Sequence, residues 1–184
     1  MVLEYSLIAL LSPLVGGVIA AFFGKSMGKI FVNASTILGV TISFIFSCML
    51  AMDLYQTSAV FNQNLYTWID IGTFTFHIGL LIDNLTASMM VVVTFVSLMV
   101  HIYTIGYMHD DPGYHRFFAY ISLFTFSMLS LVMSNNFLQL FFGWEAVGVM
   151  SYLLIGFWYT KESAIKANLK AFLVNRVGDL SLIL

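Results

Sequence analysis

An all-α polytopic membrane protein is the fold class this sequence predicts, and three observations predict it. The chain is 60% hydrophobic and only 9% charged, whereas soluble globular domains carry roughly 25% charged residues. Its mean hydropathy is +0.95. Apolar runs recur along the whole length, which a single secretory leader ahead of a soluble body does not do. The lone cysteine, Cys48, lies inside one of these runs. One cysteine builds neither a disulfide framework nor a multi-cysteine metal or iron–sulfur site, so any redox centre belongs to other chains. The net charge of −2 says little, because in a membrane protein the placement of charge matters more than its sum.

With about 20 apolar residues per crossing, helices are expected at 5–23, 30–54, 84–107, 114–133 and 137–158, with a sixth from Ile165 still running at Leu184. That gives about six transmembrane helices, the last of them truncated. Pro13 falls inside the first span, and a membrane helix tolerates it where a neighbour satisfies the freed carbonyl. Between the second and third spans, LYTWIDIGTFTFHIGLLID (65–83) is rich in β-branched and aromatic residues, alternates partly and breaks at Gly72. It reads as a small extracytoplasmic β-hairpin, after which Asp83 is placed to cap the third helix. Three regions result: two N-terminal helices in 1–64, the hairpin in 65–83, and helices three to six in 84–184.

Basic residues set the expected orientation. Lys25 and Lys29, Arg116, and Lys161 with Lys166 fall in or beside alternate loops, while 55–83 and the SNN turn at 134–136 have none. By the positive-inside rule the N-terminus is extracytoplasmic. His77, His109 and His115 lie in surface segments, and HDDPGYHR (109–116) has no zinc-type spacing, so no metal site is expected.

Ionisable groups within the spans are few and concentrated. Glu145 is the acid of the fifth; Lys166, Lys170, Arg176 and Asp179 lie on the sixth; His101 is the titratable group of the third. A charge at the bilayer centre costs about 2.5–3.5 kcal/mol on the mildest scale, so such groups turn toward each other or toward water. Counted from the cytoplasmic ends, Glu145 lies about 20 Å deep, Arg176 about 16 Å and Asp179 about 21 Å. Arg176 and Asp179 share a helix face, and a short loop makes the fifth and sixth helices antiparallel neighbours. A Glu145–Arg176–Asp179 proton site is therefore expected. Burial raises the pKa of an acid and a nearby arginine lowers it, leaving a carboxyl that responds when one charge moves. Lys170 and His101 sit lower and are expected to begin a hydrated inner path. Plainer readings stand beside these: a static hydrogen-bond partner for Glu145, a structural ion pair for Arg176 and Asp179, a snorkelling anchor for Lys166 or Lys170, and a hydrogen-bonded packing role for His101.

The stretches GYMHDDPGYHRFFAY, NNFLQLFFGWEAVGVMSYLLIGFW and NRVGD occur in this order, and in order and spacing they resemble the antiporter-like subunit L, or chain 5, family of the proton-pumping NADH:quinone oxidoreductases (respiratory complex I). WIDIG and IDNLTASM add to the resemblance, which runs from about Tyr66 onward and more weakly over the first two spans. The resemblance implies the N-terminal portion of a membrane-arm subunit and the start of an inverted-repeat, antiporter-like fold. It implies a redox-driven translocase with no cofactor in this chain, since NADH, flavin, iron–sulfur clusters and quinone are bound by other subunits. It implies as partners other membrane-arm subunits, the lipid bilayer and protons, with no nucleic acid. By carry-over, Glu145 matches the family's fifth-helix glutamate, whose partner is a lysine on a later helix. Arg176 and Asp179 match the basic and acidic positions of its sixth helix, and Lys170 a lysine upstream. The expected setting is a bacterial inner membrane, with the mitochondrial inner membrane as the alternative. Two competing readings remain: the large subunit of a multisubunit cation/proton antiporter, and a non-transporting assembly element.

Overall fold

The structure, a computed structural model, describes residues 2–57, 59–72 and 75–183, with the Ile183 side chain left aside. Six helices and one hairpin follow in the order α1 (Val2–Met27), α2 (Lys29–Thr57), β1 (Phe61–Asp70), β2 (Thr75–Ile82), α3 (Asn84–Tyr107), α4 (Tyr114–Val132), α5 (Phe137–Ile155) and α6 (Glu162–Ile183). Five of them, α1 to α5, are long and apolar enough to cross a membrane. By composition α6 is not among these five, because its 22 residues include Glu162, Lys166, Lys170, Arg176 and Asp179. The expected sixth span is thus a helix of spanning length whose polarity sets it apart, and Leu184, its last residue, lies outside the described residues.

The first two helices pack with their backbones in contact. A Cβ at Gly16 would stand 2.7 Å from the Ser35 carbonyl oxygen, and one at Gly39 2.6 Å from that of Ser12. Small residues at such crossings let membrane helices gain contact that lipid does not provide. Pro13 finds its compensation in the same interface. Having no N–H, it leaves the Ala9 carbonyl without its helical donor, and the fully buried Ser43 hydroxyl of α2 donates to that oxygen at 2.6 Å.

The hairpin is antiparallel, with Phe61 opposite Ile82 and Asp70 opposite Thr75, and irregular near Asn64/Tyr66 and Thr67/Ile69. Its first strand starts at Phe61, ahead of the expected 65, because polar Asn62, Gln63 and Asn64 pair with β2 despite their low strand propensity. Gly72 in the turn has φ +73°, a conformation that favours glycine; residues 73 and 74 lie outside the described residues. Phe76, Leu80 and Ile82 of β2 are buried; Leu80 and Ile82 join Ala9, Leu50, Leu54, Met90, Leu129 and Met133 in a core at that end of the bundle, and Phe76 packs against Trp68. Asp83 caps α3 as expected, accepting from the Thr86 backbone N–H at 2.7 Å. That bond holds its carboxyl below the usual carboxylate range.

At the opposite end the basic loops gather. Lys29 donates to the His109 carbonyl, Trp158 donates its indole N–H to Asp111 at 2.9 Å, and Arg116 lies over the Phe157 ring. Ala20, Val32, Met108, Phe118 and Phe157 form a second core beneath them.

Candidate proton site between the fifth and sixth helices

The position of α5 is set from the hairpin end. Asn136 caps the helix, accepting from the Gln139 backbone N–H at 2.9 Å. The Gln139 side chain then pairs with the Gly79 backbone of β2 as a strand would, accepting at 3.0 Å and donating at 2.9 Å. Trp68 packs edge-on against Phe142, their centroids 5.6 Å apart. These contacts fix the height of Glu145, which is six residues beyond Gln139, about 9 Å along the helix.

Three of the five candidate residues come together there. Arg176 Nη1 lies 2.6 Å from Glu145 Oε1 and 3.2 Å from Asp179 Oδ2, bridging the two acids. Antiparallel packing brings them level although α5 ends at Ile155 rather than 158 and α6 begins at Glu162, so the depths counted from the sequence shift while the pairing survives. The Asp179 side chain is 5% exposed, Glu145 20% and Arg176 45%. A fourth residue completes the group: Trp144 donates its indole N–H to Asp179 Oδ1 at 2.9 Å. Asp179 Oδ2 accepts no hydrogen bond among the described residues, its contact with Arg176 being ionic rather than a well-aligned hydrogen bond. Two carboxylates facing one guanidinium make a site one positive charge short of neutrality when both acids are ionised. Taking up a proton removes that imbalance at a cost set by local electrostatics.

The other two candidates lie apart from this cluster. His101 is fully buried between α3 and α4, with Nε2 2.9 Å from Ser122 Oγ and Nδ1 2.8 Å from the Ser97 carbonyl oxygen. Ser97 in turn meets Thr125 at 2.5 Å. No hydrogen bond or ion pair joins this network to Glu145 among the described residues. Lys170 is exposed on α6. Lys166 pairs with Glu162 at 2.7 Å, both largely exposed, consistent with an anchor at a helix end. Trp144 went unread in the sequence, although its signal was present: an indole donor beside a buried acid, opposite another acid at similar depth.

Known proteins supply the context. Residues 68–118 match the family described as NADH-Ubiquinone oxidoreductase (complex I), chain 5 N-terminus. Residues 134–184 match the NADH:quinone oxidoreductase/Mrp antiporter transmembrane family. The chain is 59% identical to NADH-quinone oxidoreductase subunit L of Neisseria meningitidis serogroup A, over 98% of this chain and 27% of that protein. It is 47% identical to subunit L of Rickettsia conorii over 94% of this chain and 26% of that protein. With NADH-ubiquinone oxidoreductase chain 5 of Dictyostelium discoideum it shares 43% identity over 96% of this chain and 26% of that protein. The chain therefore spans about a quarter of the length of the curated relatives it matches. A solved archaeal respiratory membrane complex, the membrane-bound sulfane sulfur reductase, superposes with a TM-score of 0.81 over 95% of this chain and 34% of that chain at 15% identity, a likeness of fold. Taken together, these matches show that the chain belongs to the antiporter-like subunit L (chain 5) family of NADH:quinone oxidoreductases, and that it corresponds to the N-terminal portion of that family.

Proposed function

We propose that this chain carries one station of the proton path in the membrane arm of a proton-pumping NADH:quinone oxidoreductase, with Glu145 as the group that takes up and releases the proton. The observation that carries the reading is the guanidinium shared between Glu145 and Asp179 within a bundle of apolar helices. Two unit charges 4 Å apart interact by about 4 kcal/mol at an effective dielectric of 20. Displacing one neighbouring charge therefore changes the electrostatic environment of the Glu145 carboxylate by an energy of that order, and Arg176, which contacts both acids, links it to Asp179. Lys170 and His101 are auxiliary proton-handling groups in this reading, on α6 and in the α3–α4 network respectively.

Coupling then travels laterally as a chain of charge displacements, without a redox group here. NADH, flavin, iron–sulfur clusters and quinone belong to other subunits, and the chain acts as part of a translocase with other membrane-arm subunits as partners. In this reading the end that gathers the basic loops faces the cytoplasm and the N-terminus lies outside, an orientation that the positive-inside rule supports. The membrane is a bacterial inner membrane, with the mitochondrial inner membrane as the alternative. The exchanger reading is not favoured, since the relatives above are named as subunits of NADH-quinone or NADH-ubiquinone oxidoreductases.

The test is Glu145→Gln in the full-length assembled complex, with NADH oxidation and proton translocation measured together. The expected outcome is intact assembly with impaired translocation; unchanged translocation overturns the proposal. The bond from Trp144 to Asp179 is also what a purely structural clamp would contain, and loss of assembly in Glu145→Gln would favour that role.

A further inference from the structure

We propose that protons reach this cluster along the seam between α5 and α6, through a small cavity into whose lining Ser151 and Asn175 bring polar groups. The inference rests on the cluster being a proton site and adds its route of access.

A cavity of about 140 Å³ lies between the two helices, lined by Trp144, Gly148, Ser151, Tyr152, Phe172 and Asn175 among others. A water takes about 30 Å³ of liquid volume and needs two to four polar partners, so the space admits several. Trp144, the wall nearest the cluster, is bonded to Asp179. Ser151 is six residues from Glu145 toward the basic end, about 9 Å along the helix. Its hydroxyl donates to the Val147 carbonyl at 2.8 Å, which leaves its oxygen lone pairs for water. Asn175 is adjacent to Arg176 in the sequence.

The polar track continues toward the basic end. Asn168 lies two turns before Asn175 on the same face of α6, and its Oδ1 is buried without a hydrogen-bond partner among the described residues. Both amides lie against glycines: a Cβ on Gly148 of α5 would overlap the Asn175 amide, and one on Gly156, the residue that ends α5, the Asn168 amide. Asn168, Asn175 and Asp179 thus form a line about 16 Å long from the basic end to the buried acid. Polar groups at membrane depth are sustained by partners or by a water-filled cavity.

Neither alternative route offers this. The larger cavity of about 610 Å³, between α3, α4 and α5, is walled by Val92, Val96, Ile121, Phe124 and similar residues, and apolar cavities stay dry. In the His101 network both ring nitrogens already have partners. Along the seam the transfer is a hop: one O–H bond of a water breaks as a new O–H bond forms on the Glu145 carboxylate, each water takes a proton from the next one outward, and the outermost takes one from solvent at the basic end.

Thiol labelling of the full-length complex in inverted membrane vesicles, with Cys48→Ala as background, tests this. The thiolate is the reactive form and requires water to exist. The probe is a small membrane-impermeant methanethiosulfonate carrying an ammonium group, added from the face that bears the basic loops. Ser151→Cys is expected to react at least tenfold faster than Ser97→Cys, which lines the apolar cavity, and Gly148→Ala is expected to slow that reaction about tenfold. Equal rates at the two positions overturn the seam, whatever Gly148→Ala does to folding. If Ser151→Cys labels rapidly while Glu145→Gln pumps normally, the hydrated seam stands and the proton role of Glu145 fails, so the two readings fail separately.

Discussion

Replacing Arg176 by methionine isolates what the shared guanidinium does. Asp179 is 3% exposed, with one oxygen held by Trp144 and the other facing Arg176 alone. Removing one partner of a buried ion pair costs about 3–5 kcal/mol, because the remaining charge stays desolvated. Arg176 is 45% exposed, and solvent screening of its charge puts the cost at the low end of that range, about 3 kcal/mol. At about 1.4 kcal/mol per tenfold change in an equilibrium constant, Arg176→Met should shift the folding equilibrium roughly a hundredfold. In an Asp179→Asn background the same substitution should cost about 1 kcal/mol, since the neutral amide keeps the indole bond and only the more exposed Glu145 carboxylate loses its partner. The assay is a double-mutant cycle on thermal unfolding of the detergent-solubilised complex, supported by the amount of assembled complex in membranes. A coupling energy of about 2 kcal/mol is expected. Equal costs in both backgrounds would refute the argument that Arg176 exists to neutralise Asp179.

Two further outcomes follow from single contacts. Ser43→Ala orphans the Ala9 carbonyl beside Pro13 and should cost about 1–3 kcal/mol; Pro13→Ala, which restores a helical donor to that oxygen, should remove most of the penalty in the same unfolding assay. Asp83→Ala removes the cap of α3 and should cost about 1 kcal/mol. The folded-state pKa of Asp83 is depressed by the Thr86 N–H, so its stabilisation is present above the unfolded value near 3.9 and is lost as pH falls through the lower folded value. Asp83→Ala should therefore be less stable than the parent at neutral pH and converge with it under acid.

What the sequence discloses follows from how local each determinant is. The bounds of α3 are legible at both ends, Asn84 and Tyr107, since Asp83 announces the start and the HDDPG stretch the stop. The ion cluster is legible for a different reason. Arg176 and Asp179 sit one turn apart, and an antiparallel neighbour returns through the same depth, so equal depth implies contact. The hairpin onset is not legible, because Asn62, Gln63 and Asn64 are strand residues by virtue of Asn135, whose amide donates to Asn62 and Asn64 at 3.1 and 2.8 Å from 71 or more residues away. The network around His101 escapes for the same cause: Ser122, which meets its ring, and Thr125, which meets Ser97, lie on another helix, and their rotation toward α3 is a tertiary fact.

Trp144 marks the boundary between the two cases. Being next to Glu145, it points about 100° away around the helix, so a reading that follows one helix face pairs Glu145 and passes over its neighbour. Yet α6 presents Arg176 and Asp179 about 60° apart around its axis and nearly one turn apart along it, and two adjacent residues of α5 meet these two residues of α6. A site of this kind requires a wide contact rather than a single stripe. The glycines at 148 and 156 supply it by letting the Asn175 and Asn168 amides sit against the α5 backbone, and the same closeness keeps the polar track continuous. On that argument the small residues of α5 matter to proton access as much as the charged residues of α6 do.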